Sequence, residues 1–335
     1  MARHCPTAGG GRLSLLPADY IGHEDAWGEW RRALGGERMH HGWILSGRKG
    51  VGKSAFARAA ARELVAEIGL AQPAGDHPDI LYLSHPPRND AESKKASDGK
   101  PYELARNIKI DQIRKLQQRL NTRPTMGSRR AVIIDPADDM EGGAANALLK
   151  SLEEPPQGTF FILIAHRIGR LLPTIRSRCR VLSFPRISDA DMDAVLARES
   201  PQASGEMRAA AIAAASGSPG AAIDFVELDL GKIHMLMQQI AKDGDPDFSL
   251  RGRMAGAMGM RPSREKQLAA IELARAVVSA RLAGVSHTEI PAITEAHGAL
   301  VRLSAQAPTA NFDAGLLIME VGTLLASLAA SRSAS

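Results

Sequence analysis

The chain has 335 residues, more than one compact domain usually holds, and its 44% hydrophobic content is enough for two or three packed cores. Aromatics are scarce at 4% while Ala, Leu and Ile dominate, which points to a helix-rich protein. A net charge of +5 permits contact with nucleic acid without requiring it. The two cysteines, Cys5 and Cys179, exclude a disulfide framework and a four-cysteine zinc site.

Residues 1–18 carry Gly, Arg and Pro and read as loose. The apolar stretch Leu13–Leu16 is too short for a leader and is broken by Ser14. The longest apolar run, Phe160–Ala165, is strand-sized and cannot span a bilayer. These features predict a soluble, cytoplasmic chain with no membrane partner. A first helix is predicted over 24–35. Five β-like runs follow at 42–46, 79–83, 131–135, 160–165 and 180–184, separated by helical patterns at 53–68, 110–121 and 142–153. This alternation predicts parallel strands with crossover helices, an α/β domain over 1–187. The polar stretch Ser84–Asn107 reads as a solvated loop or an insertion. From Ser188 the pattern becomes helical, with Gly217-Ser218-Pro219-Gly220 as punctuation. A small helical domain is expected over 188–244 and a helical bundle over 245–335. There Leu317, Val321, Leu324, Leu325 and Leu328 fall on one helical face and are expected to be buried.

Residues 47–54 read Gly47-Arg48-Lys49-Gly50-Val51-Gly52-Lys53-Ser54, a complete G-x-x-x-x-G-K-S phosphate loop. It follows the apolar run Trp43-Ile44-Leu45 and opens a helix, the context the motif requires. Its glycines let backbone N–H groups crowd a polyphosphate, and the helix N-terminus adds positive potential. Lys53 is expected at the β- and γ-phosphates and Ser54 at Mg²⁺. The strand Ala131–Ile134 ends in Asp135, placed to hold the same cation through water. Next comes Pro136, which carries neither a base nor a side-chain donor; Asp138 and Asp139 follow at an unusual spacing. Three arginines, Arg176, Arg178 and Arg180, lie within five residues and by themselves read as a solvated edge.

The phosphate loop, Gly75-Asp76-His77-Pro78-Asp79, Ile108–Arg114, Asn146–Pro156 and Leu171–Cys179 together resemble the clamp-loader branch of AAA+ proteins, most closely its bacterial delta-prime family. The likeness is close over about 20–190; beyond it, Gly217–Gly220 is similar to the lid and Asn311-Phe312 to the collar. The resemblance implies an AAA+ domain with a five-stranded parallel sheet, then a helical lid and an all-helical collar. It implies a pentamer with delta and gamma/tau subunits that loads a sliding clamp on primed DNA. In it Arg178 would act as a finger on the ATP of a neighbouring subunit. Proline in place of the usual glutamate at 136, and Gly220 where a sensing arginine sits in active relatives, imply ATP–Mg²⁺ binding with little or no hydrolysis. Any polymerase activity would belong to the larger assembly. Many relatives carry a zinc module after the phosphate-loop helix; residues 65–76 hold no cysteine, so zinc is not expected. His166 falls near a γ-phosphate sensor but reads as structural. An active gamma/tau-type ATPase is the alternative. A small-molecule phosphotransferase is a third reading, with no acceptor pocket legible in the helical half.

Overall fold

The computed structural model describes residues 20–67, 71–100, 102–283, 285, 287–307 and 312–333. Cys5, Leu13–Leu16, Ile68, Asn311 and the end of the Ser331–Ser335 tail lie outside them, as do side-chain details beyond Ala329. The chain divides into two compact units, one ending at Ser188 and one beginning at Asp189.

In the first unit, α1 (Glu24–Leu34) leads to β1 (Gly42–Ser46), α2 (Lys53–Val65), β2 (Ile80–Leu83), α3 (Asp90–Ser97) and α4 (Ile110–Leu120). Then come β3 (Arg130–Ile134), α5 (Gly142–Glu153), β4 (Thr159–Ala165), the one-turn α6 (Pro173–Arg176) and β5 (Arg180–Ser183). The five strands form one parallel sheet in the order β2-β3-β4-β1-β5. The inner strands are covered on both faces, which is why they read as unbroken apolar runs rather than alternating ones. Side chains still alternate across the sheet. Trp43, Leu45, Ile133, Ile162 and Ile164 pack against Trp27 and Trp30 of α1 and Phe56 and Leu64 of α2. Ile44, Val132, Ile134, Phe161 and Leu163 pack against Ile113 and Leu116 of α4 and Leu148 and Leu152 of α5. At about 25 cal/mol per Å² of apolar surface, these two layers supply most of the drive to fold.

One sequence expectation holds only in part here. Ser84–Asn107 is not wholly loop, because α3 lies within it. Asn89 caps that helix by accepting from the Glu92 backbone N–H at 2.9 Å. Glu92 is buried and takes the Lys95 ammonium at 2.6 Å and the Glu103 N–H at 2.7 Å. The helix is held by polar contacts, so no apolar periodicity announces it.

Hydrogen bonds fix the described residues that follow α2. The Arg62 guanidinium donates to the carbonyls of Pro73 (3.2 Å) and Gly75 (2.6 Å), and the Glu67 carboxylate accepts from Ser128. Asp79, fully buried, accepts the backbone N–H groups of Thr125 (2.6 Å) and Met126 (2.8 Å).

The second unit is helical: α7 (Asp189–Glu199), α8 (Gly205–Ala215), α9 (Pro219–Glu227), α10 (Gly231–Asp243), α11 (Ser249–Met258), α12 (Arg264–Ala280), α13 (Ile290–Gln306) and α14 (Ala314–Ser333). α10 packs on α11, α12 and α14 and also meets α8. On α14, Leu317, Ile318, Val321, Leu325 and Leu328 are buried. Leu324 departs from expectation and is only half-buried, since it lies at the rim of the buried arc. Asp245 and Arg251 form a buried ion pair at 2.9 Å, and Arg251 also donates to Thr323 Oγ1 of α14 at 3.0 Å. Among the described residues, no helix is long and apolar enough to cross a membrane.

Candidate functional site

The phosphate loop runs from the C-terminal end of β1 to the N-terminus of α2. Gly52 has φ +104°, a left-handed conformation that costs glycine nothing. Gly47 is needed for space, because a Cβ there would stand 2.3 Å from the Phe184 carbonyl oxygen. Lys53 is buried and its Nζ donates to the Gly47 and Arg48 carbonyls, both at 2.6 Å. Burial pushes its ammonium down to about 8, with a partial opposing pull from the Asp135 and Asp138 charges. Tyr20 Oη donates to the Gly52 carbonyl at 3.2 Å, and His23 Nε2 lies 2.8 Å from the Val51 carbonyl. The segment before α1 therefore fastens the second half of the loop.

Asp135 leaves the C-terminal end of β3 beside this loop. Ser54 Oγ donates to its Oδ2 at 2.5 Å, which brings together the two residues expected at the cation. Hydroxyl and carboxylate oxygens are the hard donors that Mg²⁺ prefers. Among the described residues, no cluster of three or more His, Cys, Asp or Glu has a metal-site arrangement.

Pro136 follows, and both nearby acids are engaged by other groups. Asp138 is buried and both its oxygens are taken: Oδ1 accepts the His166 N–H at 2.9 Å and Oδ2 the Arg167 N–H at 3.0 Å. Asp139 lies 3.3 Å from His85 and 3.2 Å from Arg170. His166 is pushed below its ordinary pKa, first by burial and then by the Lys53 charge. Its Nδ1 is buried without a hydrogen-bond partner. The ring thus stands by the phosphate loop, neutral at pH 7.

Arg178 lies at the opposite end of the strands from the phosphate loop. The register pairs Trp43 with Arg180 and Ser46 with Ser183. Arg178 therefore precedes β5, whereas Gly47 follows the far end of β1. The intervening strand length is roughly 15–20 Å at about 3.3 Å per residue. The guanidinium is half-exposed, with Nη2 2.8 Å from Glu153 and Nη1 donating to the Thr174 carbonyl at 3.0 Å. Arg180 lies with its guanidinium 5.6 Å from the Trp43 ring centroid, which sets it apart from Arg178. Cys179, between them, has its thiol pushed up to about 12 by burial and is inert.

Several residues of the site carry little signal in the sequence. Tyr82 Oη donates to Asp135 Oδ2 at 2.6 Å, but on an edge strand a tyrosine reads as a packing residue. Glu153 was legible only as part of a motif. Tyr20 and His23 lie thirty residues from the loop they fasten, and no local spacing reveals such a contact.

Comparison with known proteins agrees with this geometry. Residues 22–188 match the family described as DNA polymerase III, delta subunit. The DNA polymerase III subunit delta' of Pseudomonas aeruginosa is 35% identical over 207 residues, 57% of this chain and 58% of that protein. The Escherichia coli subunit delta' is 30% identical over 205 residues, 57% of this chain and 56% of its own. The DNA polymerase III subunit gamma of Buchnera aphidicola is 32% identical over 160 residues, 46% and 41% respectively. The chain spans about half the length of the curated relatives it matches. The crystal structure of a DNA polymerase III gamma subunit-related protein from Thermotoga maritima aligns with TM-score 0.52 at 16% identity, over 90% of this chain and 98% of that one. At that identity the likeness is one of fold. The family match runs through the phosphate-loop unit from Gly22 to Ser188, and delta-prime relatives share it, so this unit belongs to the DNA polymerase III delta-subunit family and is similar to its delta-prime members.

Proposed function

We propose that this chain is the delta-prime component of a clamp loader, a subunit that works by contact and lends Arg178 to the ATP site of its neighbour. The observation that carries the reading is the placement of Arg178 at the strand ends remote from the chain's own phosphate loop, half-exposed and held by Glu153. A guanidinium there cannot serve its own nucleotide, yet it is suited to charge developing on a phosphoryl group presented by another subunit. The expected partners are delta and gamma/tau subunits in a hetero-pentamer, the sliding clamp, and primed DNA reached through the complex. DNA contact of this kind would be to backbone phosphates and sensitive to salt.

The same reading gives the chain an ATP–Mg²⁺ site of its own. Gly47, Arg48, Lys49, Gly50, Val51, Gly52 and Lys53 would cradle the phosphates, and Ser54 with Asp135 would hold the cation. Bound Mg²⁺ would neutralise phosphate charge. Lys53 is already buried at the loop with its charge in place, and Ser54 and Asp135 are already in contact. With Pro136 where a base is needed and both Asp138 oxygens engaged, hydrolysis should be slight. Within the helical unit we assign 188–244 to a lid and 245–335 to a collar, with α10 joining them.

The intact loop and the similarity to gamma subunits favour one second reading, an active gamma/tau-type ATPase. Co-expression with the other replisome subunits tests the main proposal. A stoichiometric complex containing one copy of this chain supports it; a solitary protein, or one that forms the complex's ATPase core in several copies, overturns it.

A further inference from the structure

Asp135 has a second partner that the nucleotide reading does not use. Its Oδ2 accepts two donors at once, Ser54 Oγ at 2.5 Å and Tyr82 Oη at 2.6 Å. Among the described residues, Oδ1 accepts no protein donor. The Arg58 guanidinium lies 4.1 Å from the centroid of the Tyr82 ring. Ser54 and Arg58 stand one turn apart on α2, so this helix reaches Asp135 by two routes. One is direct, through the Ser54 hydroxyl. The other runs through Arg58 and the Tyr82 ring.

We propose that Tyr82 is a positioning residue for the divalent cation of the nucleotide site, fixing Asp135 Oδ2 and leaving Oδ1 for the metal's hydration shell. The inference rests on the ATP–Mg²⁺ reading above. Its physical basis is the softness of the aspartate terminal torsion, which is broad and roughly two-fold. A carboxylate with one tether turns about that torsion, and the Ser54 tether is itself expected to serve the cation. The Tyr82 hydroxyl is a second tether on the same oxygen, independent of the Ser54 hydroxyl. Outer partners of this kind commonly change metal affinity by about 10–100-fold. Tyr82 is 38% exposed on the edge strand β2, so the lower end of that range applies and the bond contributes little to the fold.

The test is Tyr82→Phe in the full chain, which keeps the ring and its contact with Arg58. A fluorescent ribose-labelled ATP is titrated in EDTA and then across a Mg²⁺ series. Affinity in EDTA should stay within about twofold of wild type, while the half-saturating Mg²⁺ rises about tenfold. Arg58→Met, which uncovers the ring but leaves the hydroxyl, should give a smaller rise in the same direction. Coincident Mg²⁺ curves for wild type and Tyr82→Phe overturn the proposal. So does an equal loss with and without Mg²⁺, which would make Tyr82 a general structural contact. A wild-type chain that binds no nucleotide in either condition overturns the ATP reading itself, and Tyr82's role with it.

Discussion

Raising the pH through 8 should weaken nucleotide binding by titrating Lys53. In the nucleotide-free chain burial holds this ammonium at about 8 rather than 10.5, despite the opposing Asp135 and Asp138 charges. A bound polyphosphate brings negative charge to Nζ and raises the pKa, so binding takes up a proton wherever the free lysine has lost one. The sign follows directly. Below pH 8 the lysine is already charged and affinity is flat; above it, affinity falls. At pH 9 about one molecule in ten carries the proton, which gives about a tenfold loss, or ~1.4 kcal/mol. The neighbouring His166 has its pKa lowered and is uncharged throughout this range. The assay is equilibrium binding of fluorescent ATP with Mg²⁺ at constant ionic strength from pH 6.5 to 9.5. Lys53→Arg supplies the control, since its guanidinium does not titrate there; it should bind more weakly with no fall up to pH 9.5. A wild-type curve flat to pH 9.5, or an identical fall in Lys53→Arg, would refute the reasoning.

Steady-state turnover by the chain alone should be negligible, since a placed acid–base group contributes about 10²–10⁴-fold and Pro136 supplies none; robust activity lost in Lys53→Ala would favour the motor reading. Asp138→Asn should lower stability by about 1–3 kcal/mol in chemical denaturation, because its amide cannot accept both the His166 and Arg167 N–H groups equally well. Asp245→Asn should cost about 3–5 kcal/mol in the helical unit by leaving the buried Arg251 without its counter-charge, whereas Lys100→Ala, which breaks an exposed pair with Asp98, should stay within about 0.5 kcal/mol. Limited proteolysis should release a folded fragment ending near Ser188. A cut near 245 should not leave α10 protected, because α11, α12 and α14 cover it.

The sheet was legible because its strands are buried on both faces and announce themselves as runs of apolar residues. All five appear within a residue of expectation, and so do α1, α4 and α5, while α2 ends three residues earlier than expected. The phosphate loop and Asp135 were legible for another reason: their chemistry is local and dictated by backbone geometry. α3 was missed because its stability comes from the Glu92 carboxylate and the Asn89 cap rather than an apolar face. Leu324 was placed too deep because a stripe read from spacing has no rim. Contacts across long sequence separations were invisible in principle. Tyr82 reaching Asp135, Tyr20 reaching Gly52 and Glu153 reaching Arg178 become neighbours only once the parallel register sets strand ends side by side.

In the proposed role, Arg178 acts on a neighbour's nucleotide and not on this chain's own. The direct measurement is clamp loading and DNA-stimulated ATPase activity of the reconstituted complex carrying Arg178→Ala, alongside ATP binding by the isolated variant. A trans arginine is worth about 10³–10⁵ in rate at the site it serves, and one of several sites is affected, so the whole-complex loss should be smaller but clear. Folding and ATP affinity should be unchanged in the isolated chain, loading should be impaired in the complex, and Arg178→Lys, whose ammonium lacks the planar fork, should rescue poorly. Wild-type loading by the Arg178→Ala complex, or loss of ATP binding by the isolated variant, would contradict it.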